Sequence, residues 1–282
     1  MNSSKATNKY LDINGIRLHY LDWGGCGNRQ MLLLHGFMGH AHVWDAFSLQ
    51  FRNYYHVLAL DQRGHGKSQW SKEAEYSIDE HFSDLARFVE TLDLKDLILV
   101  GHSMGGRNAL FYAACVPERV YRLIMVDSRP ANSAESSSAL KQLLLHFPLQ
   151  AKSLNQVAES IQELYPYLPA ATAYHLAKYG YRRSDSGKFI PKYDTRMCLQ
   201  FEKSDYTAEN IWSFLKNVSC PTLVVRGAQS SFLSREDAKK MYSFFSRAVL
   251  KEISHATHIP FLENPDAFNK VVLDFLSERW ND

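Results

Sequence analysis

The chain has 282 residues, of which 45% are hydrophobic and 22% charged, and its formal net charge is +2. That composition suits a globular protein with a sizeable buried core and excludes an intrinsically disordered chain. Lysines and arginines are scattered among acids without a basic stripe or tail, so nucleic acid is not an expected partner.

Residues 1–9 are polar and lack the apolar segment of a secretion signal, and no apolar run is long enough to span a bilayer, so a cytoplasmic protein is expected. Residues 16–23 alternate and suit an antiparallel edge strand, while residues 31–34, 56–60, 97–100 and 122–126 are compact apolar runs suited to buried parallel strands. The segment 78–92 sets Ile78, Phe82, Leu85, Phe88, Val89 and Leu92 on one helical face, with Ser77 as N-cap and Glu80 as its partner. Residues 104–115 are small and apolar all round, as a helix packed on the sheet centre should be. From about 130 to 206 the strand runs stop, and helical segments at 139–149, 154–164 and 171–179 are broken by Pro148, Pro166, Pro169 and Pro191. Their Tyr- and Phe-rich text suits a lid over an apolar pocket, and equally a helical layer with its own small core. The strand pattern returns at 222–225 and 249–253, and residues 266–280 close the chain as an amphipathic helix. The alternation of strand and helix predicts an α/β fold with a mostly parallel sheet, organised as 1–129 (core), 130–206 (insertion) and 207–282 (core).

Cys26, Cys115, Cys198 and Cys220 lie far apart, with no pair at metal-ligand spacing, so reduced thiols and no metal are expected. The chemistry sits elsewhere. An apolar strand runs into Gly101-His102-Ser103-Met104-Gly105 and then into an apolar helix, which is the context a G-x-S-x-G nucleophile elbow needs. A second strand ends in His35-Gly36-Phe37. The amides of Met104 and Phe37 are the candidate donors to the oxyanion that attack by Ser103 would create. After residue 253 two histidines, His255 and His258, are available as the base, and only one can serve.

These segments together resemble the α/β-hydrolase superfamily, specifically its small lidded, esterase-like serine hydrolases. The resemblance covers nearly the whole chain outside the insertion: the His35-Gly36 turn, Asp61-Gln-Arg-Gly-His-Gly-Lys-Ser68, Gly101 to Gly106, Val126-Asp127, and His258 leading into Glu263-Asn-Pro265. It implies an eight-stranded, mostly parallel sheet flanked by helices, with a helical lid inserted after the sixth strand. It selects His258 as the base, five positions before Glu263, and implies that Asp61 to Ser68 fixes its own loop. The common place for the triad acid, the loop after the strand at 222–225, holds Ser230 and Ser231 and no carboxylate before Glu236. One branch of the superfamily places Asp after the sixth strand together with a Gly-x-x-Ser segment, here Gly227 to Ser230. That likeness makes Asp127 the acid with Ser230 assisting, and leaves Glu236 and Asp237 as alternatives. His35, Gly36 and His102 are expected to support the site.

The implied activity is a carboxylic ester hydrolase acting on a small-molecule acyl substrate, with no cofactor. Lactones, thioesters or C–C bonds beside a carbonyl would suit the same residues, and a receptor that holds a small ligand without turnover would suit the same scaffold. Because the base must be neutral, activity is expected to fall as pH drops through about 6 to 7.

Overall fold

Side chains on successive strand residues point to opposite faces, so strands apolar on both faces need a covering layer on each side. The computed structural model describes residues 5–131, 134–199, 212 and 214–280 and supplies those layers. Its strands are β1 (Thr7–Ile13), β2 (Ile16–Gly24), β3 (Gln30–Leu34), β4 (His56–Asp61), β5 (Leu97–His102), β6 (Val120–Val126), β7 (Tyr181–Arg183), β8 (Phe189–Pro191), β9 (Thr222–Gly227) and β10 (Ala248–Ile253). Eight of them form one sheet in the order β1-β2-β4-β3-β5-β6-β9-β10, while β7 and β8 pair separately. The β1–β2 and β2–β4 contacts are antiparallel and all others in the large sheet are parallel.

Alternation along the central strands feeds two cores. Leu33, Ile98, Val100, Ile124 and Val126 face a cluster with Trp44, Phe47, Phe51 and Phe268. Leu32, Leu34, Leu97, Leu99, Leu123 and Met125 face the other, with Leu85, Phe88, Leu110 and Tyr112. The helix Ile78–Thr91 begins at Ser77, whose side chain accepts from the Glu80 amide, and its Glu80 and Asp84 hold the buried Arg63. Asp61 fixes its loop as expected, accepting from the Ala41 and Lys67 amides and from His19, while Ser68 donates to the Asp61 carbonyl.

Among the described residues between β6 and β9 lie the α-helices Ala134–His146, Leu154–Leu164 and Ala170–Gly180, then the β7–β8 hairpin. The hairpin departs from the all-helical expectation; its strands are three residues each and too short to show a period. Val157, Ile161, Ala173 and Ala177 belong to the same core as Trp44 and the sheet, so the described residues of the insertion pack into the main core. Polar ties fasten it to the body: His40 Nε2 to the Leu176 carbonyl (3.2 Å), His175 to Asp45 (3.1 Å) and the Tyr76 hydroxyl to Asp194 (2.5 Å). The expected boundary at 206/207 lies outside the described residues. Among the described residues no helix is long and apolar enough to cross a membrane.

Several histidines are sealed in this packing. Burial pushes His35 and His102 down to about 3 and His40 and His65 to about 4, and it drives His81 well below its ordinary value. An unfolded imidazole takes up its proton near pH 6.5. Below that pH the unfolded chain binds protons that the native state excludes, so stability falls as pH drops from about 6.5 toward about 4. The slope is on the order of 1.4 kcal/mol per pH unit for each histidine that stays neutral. Urea unfolding at pH 7.5 and 5 should show a clearly lower midpoint at pH 5; equal midpoints would contradict the buried neutral state.

Candidate active site

The chain runs β3 to β4 on one side of β3 and then returns to place β5 on the other, so the strand order reverses between β3 and β5. Such a reversal opens a crevice at the carboxyl ends of the two strands. Into it project the turn after β3 and the turn after β5, the two segments singled out by their glycines.

Ser103 sits between β5 and the helix Met104–Cys115 with φ 50° and ψ −117°, a strained conformation for a residue with a side chain. The surroundings enforce it. A Cβ at Gly101 would lie 2.3 Å from the Gly105 carbonyl oxygen, and one at Gly105 would lie 2.5 Å from the His35 carbonyl oxygen, so strand, helix and β3 turn touch backbone to backbone. The Ser103 amide donates to the Val126 carbonyl (3.0 Å), and its own carbonyl accepts from the Ser128 hydroxyl (2.7 Å). With its backbone tied on both sides, the Ser103 side chain borders the cleft.

His258 and Asp127 meet in the same place. The His258 Nδ1–H donates to Asp127 Oδ2 at 2.7 Å. The same oxygen accepts from the Ser230 hydroxyl (2.5 Å), and Oδ1 accepts from the Gly227 amide (3.0 Å). Ser230 Oγ in turn accepts from the Phe232 and Leu233 amides, at 3.1 and 3.2 Å. A carboxylate at Nδ1 fixes the tautomer that leaves Nε2 with a lone pair. The imidazole stacks on Phe232 at 3.8 Å and lies 4.6 Å from the His102 ring. Burial lowers the His258 pKa, and burial raises that of Asp127 against the opposing pull of the Ser230 and Gly227 donors.

The alternatives lie elsewhere. His255 is exposed against the edge of Tyr167. Glu236 is exposed, and Asp237 accepts from Ser234 and pairs with Arg129 at 3.0 Å.

Phe37 and Met104 border the cleft beside Ser103 and His258. His35 turns away from it: its Nδ1–H donates to the Gly36 carbonyl (2.7 Å) and its Nε2 accepts from the Gln62 amide (3.0 Å), bracing the turn from behind. Gly36 leaves room for His102, whose Nδ1 a Cβ there would approach to 2.6 Å. His102 Nε2–H donates to the His258 carbonyl at 2.8 Å, tying the elbow to the histidine loop. Glu263 has a part that its place in the sequence pattern left unassigned. Its carboxylate accepts from the Thr257 amide (2.7 Å) and hydroxyl, so it clamps the residue before His258.

The cleft has two lobes that share Phe37, Ser103, Leu140, Phe232 and His258. The larger, ≈ 830 Å³ including its open mouth, is apolar and is roofed by Leu143, Phe147, Ile161 and Leu176 of the insertion. The smaller is bordered by Met104, Arg107, Ser128 and Arg129.

Comparison with known proteins agrees with this fold. The profile of the alpha/beta hydrolase fold family matches residues 30–265. A human protein named epoxide hydrolase 4 is 28% identical over 98% of this chain and 80% of its own length. The 2-(acetamidomethylene)succinate hydrolase of Mesorhizobium japonicum is 26% identical over 97% of this chain and 96% of its own. A crystal structure of E-2-(acetamidomethylene)succinate hydrolase superposes with a TM-score of 0.87 at 26% identity, covering 97% of this chain and all of that one. An esterase of Mycobacterium tuberculosis is 27% identical over 79% of this chain and 73% of its own.

The backbone contact at the elbow can be tested directly. Gly105→Ala forces a methyl against the His35 carbonyl and is expected to cost at least about 2 kcal/mol. Equilibrium urea unfolding reads the loss, and a native midpoint would mean that the turn has room to give.

Proposed function

The chain belongs to the α/β-hydrolase family and is a hydrolase, and on that premise we propose that it cleaves carboxylic esters of small to medium acyl compounds through an acyl-enzyme on Ser103. The observation that carries this reading is the 2.7 Å Asp127–His258 hydrogen bond, made in the cleft that Ser103 borders. Relatives include proteins named esterases and others named epoxide hydrolases. The elbow residue favours the former. Opening an epoxide through an alkyl-enzyme ester calls for a carboxylate nucleophile, whereas a hydroxyl there suits acyl transfer.

In the proposed cycle Nε2 of His258 takes the Ser103 proton, and Ser103 Oγ attacks the ester carbonyl. The resulting oxyanion is held by the Phe37 and Met104 amides, the latter at the positive end of a helix. Protonated His258 gives its proton to the alkoxide as the C–O bond breaks. Water, deprotonated by His258, then attacks the acyl-enzyme, and the carboxylic acid leaves as Ser103 regains its proton. Asp127 holds the imidazole and stabilises its cation. Ser230 donates one hydrogen bond to Asp127 and aligns it. The insertion acts as a lid whose apolar face binds the hydrocarbon part of the substrate and keeps bulk water from the acyl-enzyme.

Ser103→Ala should abolish hydrolysis of p-nitrophenyl butyrate and labelling by a fluorophosphonate while the fold is retained; native-rate turnover would end this reading. Asp127→Asn is expected to lower kcat by about 10⁴-fold, and Ser230→Ala by about 10- to 100-fold, in steady-state assays. A near-native Asp127→Asn enzyme would move the acid elsewhere. The His258–Asp127 pair titrates as a unit and His258 must be neutral to accept the Ser103 proton, so kcat/KM is expected to decline as pH drops through the titration of that pair. A profile flat down to pH 4.5 would contradict this.

A further inference from the structure

Buried arginines in this protein are held by acceptors. Arg63 is bound by Asp84 and Glu80, Arg226 by Glu252, and Arg122 by the Phe275 and Glu278 carbonyls. Arg107 differs. Its side chain is half-buried, and its Nε, shielded from solvent, meets no hydrogen-bond partner among the described residues. Burial lowers its pKa. A guanidinium nitrogen shielded from water without a partner is costly, and the cost is recovered where a ligand supplies an acceptor.

Its position says which ligand. Arg107 lies in the first turn of the helix that Ser103 precedes, with its amide donating to the Ser103 carbonyl at 3.1 Å. It borders the smaller lobe together with Ser103, Met104 and Arg129. Arg129 brings a second guanidinium, which keeps its own partner in Asp237. Among the described residues the one carboxylate bordering that lobe, Asp127, is occupied by His258, Ser230 and Gly227. The lobe is therefore cationic on one side of Ser103, and the larger lobe on the other side is apolar.

We propose that the smaller lobe is a carboxylate subsite, built on Arg107 with Arg129 beside it, and that the substrates are acyl compounds carrying a free carboxylate a few atoms from the scissile carbonyl. A planar carboxylate matches the guanidinium fork. This proposal rests on the Ser103 reading and narrows it from esters in general to half-esters of dicarboxylic acids and similar anionic acyl compounds.

Two probes of nearly equal shape test it, mono-p-nitrophenyl glutarate and p-nitrophenyl valerate, which differ by a terminal carboxylate against a methyl group. The wild-type full-length protein is expected to show a kcat/KM at least about tenfold higher for the glutarate, and Arg107→Gln to lower that ratio at least about tenfold. Arg107→Lys should restore part of it. A wild-type ratio at or below one in low salt, or an equal loss on both probes in Arg107→Gln, overturns the subsite. Should the variants not fold, competitive inhibition of the wild type decides: glutarate is expected to bind at least about tenfold more tightly than uncharged glutaramide, and equal inhibition overturns the proposal. Failure of the underlying reading is distinguishable. Without Ser103 labelling and valerate cleavage the serine-esterase reading falls, whereas labelling and cleavage with no carboxylate preference remove the subsite alone.

Discussion

At the junction of β5 with the helix Met104–Cys115, three backbones meet with no side chain between them. The Gly101 Cα faces the Gly105 carbonyl, Gly105 faces the His35 carbonyl, and Ser103 is left in a left-handed conformation that it would not adopt alone. Because this approach joins the turn after β3 to the turn after β5, the position of Phe37 relative to Ser103 is set by main-chain contact rather than by side-chain packing. Loops built on side chains tolerate small adjustments; this one has no slack. The hydrogen bonds from Val126 and Ser128 carry the constraint onward to β6, where Asp127 begins.

The register of β6 against β9 explains how a carboxylate after β6 reaches the histidine. Val126 pairs with Val225, so Asp127 emerges beside Gly227 and takes that amide as a donor. The ends of two neighbouring parallel strands are separated by about 4.8 Å, which an aspartate side chain spans in large part. Ser230 stands in the loop that in many relatives would supply the acid, and it bonds to Asp127 instead. A short hydroxyl bridge thus links the loop after β9 to the carboxylate after β6.

Much of this was legible in the sequence because the relevant signals are local. Helices at 104–115 and 154–164 appear with the expected bounds, and the seven apolar strand runs all occur within one or two residues. What escaped reading lacks a local mark. β1 is almost wholly exposed, with Thr, Asn, Lys and Asp on its faces, and is held by main-chain pairing with β2. The β7–β8 hairpin is too short to carry a period. Arg107 looks like an ordinary helix cation until its unpartnered Nε beside the cleft is seen, and the clamp of Glu263 on Thr257 depends on a fold-back within a loop. Asp127 needed the family likeness, since nothing in its neighbours distinguishes an acid that orients a histidine from one that ends a strand.

The described residues of the insertion share their apolar face with the sheet, and Val157, Ile161 and Ala173 belong to the cluster built on Trp44 and Phe268. Such a roof is not a detachable accessory. Grafting the corresponding segment of a relative onto this body would open voids beneath β3 and β5 as well as reshape the cleft, so selectivity and robustness are coupled in this chain. Variation in what it accepts is therefore expected to accumulate at rim positions such as Leu140 and Phe147, which border the cleft without belonging to the fully buried core.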